Sequence, residues 1–72
     1  MTVNVVAPGI IETDFTHETL SHPGAKELFA GKIALGRVGV PEDIAGVVDF
    51  LCSESGRWVT AQRVEASGGM LL

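Results

Sequence analysis

The stretch Pro8-Gly9-Ile10-Ile11-Glu12-Thr13 is where several features useful to chemistry coincide. A run of strand-favouring residues stops at Pro8-Gly9. A glycine there lets the backbone approach a flat ligand closely. The amide and carbonyl groups of the next residues, no longer bound in a ladder, are free to pair with a carboxamide. Thr13 adds one hydroxyl that both donates and accepts. In an open parallel sheet, ligands bind outside the carboxyl ends of the strands, and this segment lies just past such an end. The residues alone therefore point to a ligand-binding loop.

Other groups capable of chemistry fit simpler roles. Gly31, Gly36 and Gly39 match neither GxGxxG nor a phosphate loop closing on Gly-Lys-Ser/Thr, and read as turn residues. His17 and His22 flank a turn without the HExxH spacing or a cysteine companion, so they read as exposed histidines and no metal site is expected. No GxSxG elbow marks a serine as nucleophile. Glu12, Asp14 and Glu18 read as a solvated acidic face, since a glycosidase pair needs a burying cleft. Cys52 stands on an apolar helical stretch and is expected as a buried core thiol.

The elements that must position the loop follow from patterning. Thr2 to Ala7 is apolar on both faces except at Asn4, the pattern of a parallel strand covered on both sides. Thr13 or Asp14 is expected to cap a short helical turn running to Leu20. "SHPG" (residues 21–24) is a turn, and Ala25 to Ala34 reads as a helix. "LGRVGV" connects to the strongest helix, "PEDIAGVVDFLCSES". There Pro41 suits the first helical position and Glu42 and Asp43 favour the positive end of the dipole. Ile44, Val47, Val48 and Leu51 recur as one apolar stripe, with Asp49 opposite. Ser53 to Arg57 closes that helix, Trp58 to Ala66 is a second strand, and Gly68-Gly69 ends it. Two parallel strands joined by a helical crossover make a βαβ unit.

With 72 residues the chain is at most one small domain. At this size burial and the entropy of ordering nearly cancel even for an ideal globule, so a less compact shape needs a partner. Nine acidic against five scattered basic residues, a net charge of −4, argue against a nucleic-acid surface. A single cysteine excludes an internal disulfide. Neither a leader pattern nor an apolar run of membrane-spanning length is present, so a soluble, cytoplasmic protein without membrane partners is expected. The chain opens inside strand residues, which reads as part of a larger domain.

Three segments together carry a family resemblance: "VNVVAPGIIETDF", "GRVGVPEDIAGVVDFLCSES" and "WVTAQRVEASGGM". In order, and over essentially all 72 residues, they resemble the C-terminal portion of a short-chain dehydrogenase/reductase, most of all the bacterial 3-oxoacyl-[acyl-carrier-protein] reductases. The resemblance implies an α/β fold, the C-terminal βαβ part of a Rossmann-type doubly wound parallel sheet in the order strand, helix, helix, strand. It makes residues 1–72 a partial Rossmann domain without the N-terminal cofactor and catalytic half. It places Pro8 and Gly9 beside the nicotinamide ring of NAD or NADP. The backbone of Ile11 would pair with the carboxamide, and the Thr13 hydroxyl would contact the carboxamide or the pyrophosphate. Residues 14–36 would be a mobile substrate cover. Arg37, Gly39, Pro41, Glu42 and Asp43 would position the following helix. Gln62 and Gly68-Gly69 would belong to a last strand shared with a homo-oligomer interface.

The departures from the family pattern are equally informative. The glycine-rich phosphate loop, the catalytic serine and the Tyr-x-x-x-Lys pair are absent, and the chain holds no tyrosine at all. No catalytic residue is therefore expected here, and the 72 residues alone should be inactive. Ala61 stands where the family usually has glycine, and Ala66-Ser67 where Val-Asp is common. The implied activity is NAD(P)-dependent reduction of a carbonyl or oxidation of an alcohol, on a small molecule or an acyl thioester, by a whole enzyme of which this is one part. Two other readings stand beside it: a non-catalytic module pairing with intact reductase subunits through its open strand edges, and an independently folding α/β protein of unrelated function.

Overall fold

A computed structural model describes residues 1–71. Its elements are β1 (Val5–Pro8), α1 (His17–Leu20), α2 (Ala25–Ala30), α3 (Pro41–Cys52), a 3₁₀ turn (Glu54–Gly56) and β2 (Arg63–Ala66). β1 and β2 form a two-stranded parallel sheet in the register Val5↔Arg63, Val6↔Val64, Ala7↔Glu65 and Pro8↔Ala66. α3 packs on both strands, and α1 packs on α2. This is the expected α/β arrangement, a βαβ unit with its crossover carried by helices.

Both strands are shorter than their sequence patterns. The entry to the sheet breaks at Ala61, whose φ of 60° is left-handed. Residues 58–62 are therefore outside β2, although the sequence reads as strand from Trp58. Asn4 replaces the ladder across this break. Its Nδ2 donates to the Val59 carbonyl at 3.1 Å and its Oδ1 accepts from the Gln62 amide at 3.0 Å. The one polar residue in an apolar run thus has a structural task, since those two backbone groups lack regular ladder partners. Backbone bonds from Ala61 N–H to the Val3 carbonyl (2.8 Å) and from Val5 N–H to the Gln62 carbonyl (2.9 Å) complete the join.

α2 ends at Ala30 rather than at Ala34. Beyond it, Ile33 forms an antiparallel bridge with Met70, and the amides of Ala34 and Leu35 donate to the carbonyls of Gly69 and Gly68 at 3.2 and 3.0 Å. The pairing depends on Gly69, which has a φ of 82° and leaves only 2.7 Å between an added Cβ and the Ala34 Cβ. A tertiary strand contact has overridden a helical pattern there.

α3 starts as its sequence dictates. Pro41 is the first helical residue and Val40, in extended conformation, is the N-cap. Val40 has no side-chain acceptor, so the cap is made from the other side: the Asp43 carboxylate accepts the Val40 amide at 2.8 Å. Ile44, Val47 and Leu51 are half-buried along the inner face, whereas Val48 remains 41% exposed. Cys52, expected in the core, is exposed. It sits in the last turn and lines an open hollow of about 380 Å³ with Thr2, Val3, Val6 and Leu51.

The core is very small. Among the described residues, only Leu20 and Ile33 are buried apolar side chains, while Phe15 and Trp58 are each 95% exposed. The surface is 5313 Å², against about 4,300 Å² for a compact monomer of this mass. The radius of gyration is 14.0 Å, where about 11 Å is usual for the length. The sheet faces and outer helix surface expose apolar side chains, Val3, Val5 and Phe50 among them. Among the described residues, no helix is long and apolar enough to cross a membrane.

Candidate functional site

The loop after β1 leaves the sheet at the carboxyl end of the strand pair. Pro8 is the last paired residue, and in this register its own nitrogen faces away from β2, so the Gly9 N–H makes the final bond, to the Ala66 carbonyl at 3.3 Å. Gly9 is held against Ser67: an added Cβ would lie 2.7 Å from the Ser67 Cβ. The close approach that requires glycine here is therefore to the neighbouring chain segment.

Ile11 forms a parallel bridge with Gly39. Gly39 N–H donates to the Ile10 carbonyl and Glu12 N–H to the Gly39 carbonyl, each at 2.9 Å. In such a bridge the polar groups of Ile11 itself point to the other side. Its carbonyl accepts the Thr16 hydroxyl at 2.7 Å. Its amide donates to none of the described residues.

Thr13 and Thr16 form a small polar ring. The Thr13 amide donates to Thr16 Oγ1 at 2.8 Å, and the Thr16 amide donates to Thr13 Oγ1 at 3.3 Å. The two hydroxyl oxygens are 3.4 Å apart. Thr16 spends its proton on the Ile11 carbonyl, which leaves Thr13 as the donor across the long hydroxyl contact. Thr13 closes this turn rather than capping α1, whose N-cap is Thr16. Thr16 was not among the residues singled out by sequence. The Thr-x-x-Thr spacing at the start of a helical turn is the signal that points to it.

These residues do not line a single cavity. Ile10 and Ile11 border one of about 220 Å³, together with Leu35, Arg37, Asp43 and Gly68. Pro8 and Gly9 face a second, of about 240 Å³, with Arg63, Ser67 and Met70. Thr13 borders neither.

The electrostatics centre on Arg37 and Asp43. Nη1 and Nη2 of the guanidinium donate to Oδ2 and Oδ1 at 2.8 and 3.0 Å, a bidentate pair. The hydrogen bond from Arg37, with that from the Val40 amide, lowers the Asp43 pKa from 3.8 to about 2. The same partner raises that of Arg37. Lys26 of α2 bonds Glu12 at 2.9 Å, tying the helical segment to the loop.

A family model described as Enoyl-(Acyl carrier protein) reductase matches residues 1–71. The chain belongs to the short-chain dehydrogenase/reductase family. Family members of known sequence include an uncharacterised oxidoreductase of Methylorubrum extorquens, 52% identical over 71 residues and matching 94% of this chain. The 3-oxoacyl-[acyl-carrier-protein] reductase of Pseudomonas aeruginosa is 48% identical over 73 residues and matches 100% of it. The chain spans 28% of the length of either relative.

Solved family structures share the fold. A short-chain dehydrogenase/reductase from Brucella melitensis superposes with a TM-score of 0.86 at 40% identity, over 94% of this chain and 27% of that one. A blue fluorescent protein from a metagenomic library, solved with NADPH, gives 0.79 at 38% identity, over 94% and 26%. A 4-hydroxyisoleucine dehydrogenase solved with NADH gives 0.87 at 29% identity, over 96% and 28%. The family is one of oxidoreductases using nicotinamide cofactors.

Proposed function

We propose that this chain is the C-terminal part of an NAD(P)-dependent oxidoreductase that reduces a carbonyl or oxidises an alcohol, and that Pro8, Gly9, Ile11 and Thr13 form the nicotinamide side of its cofactor site. The observation that carries the reading is the Ile11 amide, unpaired within the described residues at the carboxyl end of a parallel strand. A carboxamide oxygen is a fitting acceptor for it. The Thr13 hydroxyl, whose only donor contact is the long one to Thr16, can turn to the same carboxamide or a pyrophosphate oxygen. Bound there, a nicotinamide would supply the hydride for carbonyl reduction or accept it in alcohol oxidation. This chain's part is to orient the ring, because its 72 residues hold no tyrosine to act as the family's acid.

Residues 14–36, which include α1, α2 and the fully exposed Phe15, serve in this reading as the substrate cover. β2 serves as an oligomer-interface strand. The substrate is a small carbonyl or alcohol, or an acyl thioester as in the Pseudomonas aeruginosa relative. A test is a chimera in which this chain replaces the matched stretch of that reductase. Thr13→Val should raise its KM for NADPH by roughly 3- to 10-fold, the range of one hydrogen bond. An unchanged KM would remove Thr13 from the site. Carbonyl reduction by the purified 72-residue chain, free of contaminating reductases, would refute its need for the remaining catalytic half.

A second reading is favoured by the open sheet edges and the small core: the chain pairs with intact reductase subunits without catalysing anything. Co-purification with a full-length family member, absent when β1 carries a proline at Val6, is the result it requires.

A further inference from the structure

We infer that the Arg37–Asp43 pair is a positioning clamp for the loop after β1, and not only a start signal for α3. The inference rests on that loop being the nicotinamide rim. The cap of α3 needs only the bond from the Val40 amide to Asp43 Oδ2. The guanidinium shares Oδ2 with that amide and also takes Oδ1, which the cap leaves unused. It reaches across from position 37 and closes residues 37–43 into a ring through two parallel hydrogen bonds. A planar fork on a carboxylate fixes direction as well as distance, which a single contact does not.

Gly39 lies inside this ring and is the residue that holds the loop. Its amide and carbonyl take the Ile10 carbonyl and the Glu12 amide on either side of Ile11. The fit is tight: a Cβ on Gly39 would lie 2.6 Å from Ile11 Cδ1 and 3.4 Å from Asp43 Oδ2. Arg37, Gly39 and Asp43 border the same cavity as Ile10 and Ile11. Fixing the ring therefore fixes the Gly39 bridge, and the bridge aims the Ile11 amide away from it, toward the carboxamide. Arg37 and Asp43 touch no reacting atom and act through Gly39.

The test uses the same chimera with Arg37→Gln, Asp43→Asn and Asp43→Ala. Asparagine keeps an acceptor for the Val40 amide and loses the charge pair, so it separates clamp from cap. The clamp predicts that Arg37→Gln and Asp43→Asn each raise the KM for NADPH about fivefold, the upper range for an exposed ion pair, with kcat nearly unchanged. It also predicts about fivefold faster hydrogen exchange of the Glu12 and Gly39 amides, by the same ion-pair scale. Unchanged exchange and KM in both variants, with only Asp43→Ala lowering the melting temperature, would overturn it and leave a helix cap. If Thr13→Val leaves the KM for NADPH unchanged, the rim reading fails, and the exchange rates still decide the clamp.

Discussion

The two ends of the parallel strand pair are built on different principles. At the carboxyl end, nearly every polar group has a partner. Gly9 meets Ala66, Gly39 brackets Ile11, Thr16 takes the Ile11 carbonyl and the Thr13 amide, Arg37 locks Asp43, and the Ile11 amide is the exception. At the amino end and on the outer faces, apolar side chains stand in the open: Val3 is 67% exposed, Val5 58% and Phe50 48%. A hydrogen-bonded rim sets direction, while burial supplies most of the stability of a fold. This chain has the first and lacks the second. In the proposed reading it is the shaped edge of a site whose supporting mass lies in the rest of the enzyme.

That comparison makes graded predictions, measured by chemical denaturation in the chimera. Gly69→Ala should cost the most, about 3 kcal/mol, because it adds a left-handed alanine and a clash with Ala34 where the rim is tied to residues 33–35. Thr16→Val should cost roughly 1–2 kcal/mol, since the Ile11 carbonyl and Thr13 amide both lose their partner. An equal cost for a valine at exposed Thr19 would erase the distinction between rim and surface. Ala61→Gly should gain about 0.5–1 kcal/mol, the left-handed penalty less the backbone entropy of glycine. No gain would mean the strand break is held by Asn4 whatever the residue.

The smallest effect is the pH response of the rim. Asp43 has a folded pKa of about 2, below its ordinary 3.8, so its contribution is fully present above pH 4 and fades as the pH falls toward 2. Asp43→Asn should remove that part of the acid transition. A transition of identical steepness in both proteins would contradict it.

Much of this was legible in sequence because it rests on local rules. Pro41, Glu42, Asp43 and the stripe through Ile44, Val47 and Leu51 specify α3 from its own residues. Val5-Val6 before Pro8-Gly9 specifies where β1 stops, and parallel pairing with β2 follows from the crossover. What escaped was set by distant contacts. The helical pattern through Ala34 yields to Gly68-Gly69, more than thirty residues away. β2 begins at Arg63 because Ala61 turns left-handed and Asn4 bridges the gap. Cys52 lies on an apolar helix and is exposed all the same, because periodicity reports a face to be buried and not whether anything covers it. In the site, Gly9 and Ile11 sit at the strand end as read, but Thr16, which orders the loop, shows itself only once Ile11 and Thr13 are seen to converge on it.

The most direct measurement is a crystal structure of the chimera with NADPH bound. The account predicts that the nicotinamide carboxamide accepts the Ile11 amide at about 3 Å, with the Thr13 hydroxyl on the carboxamide or the pyrophosphate. A nicotinamide ring seated away from the Pro8–Thr13 loop, with the Ile11 amide bound only to water, would contradict it.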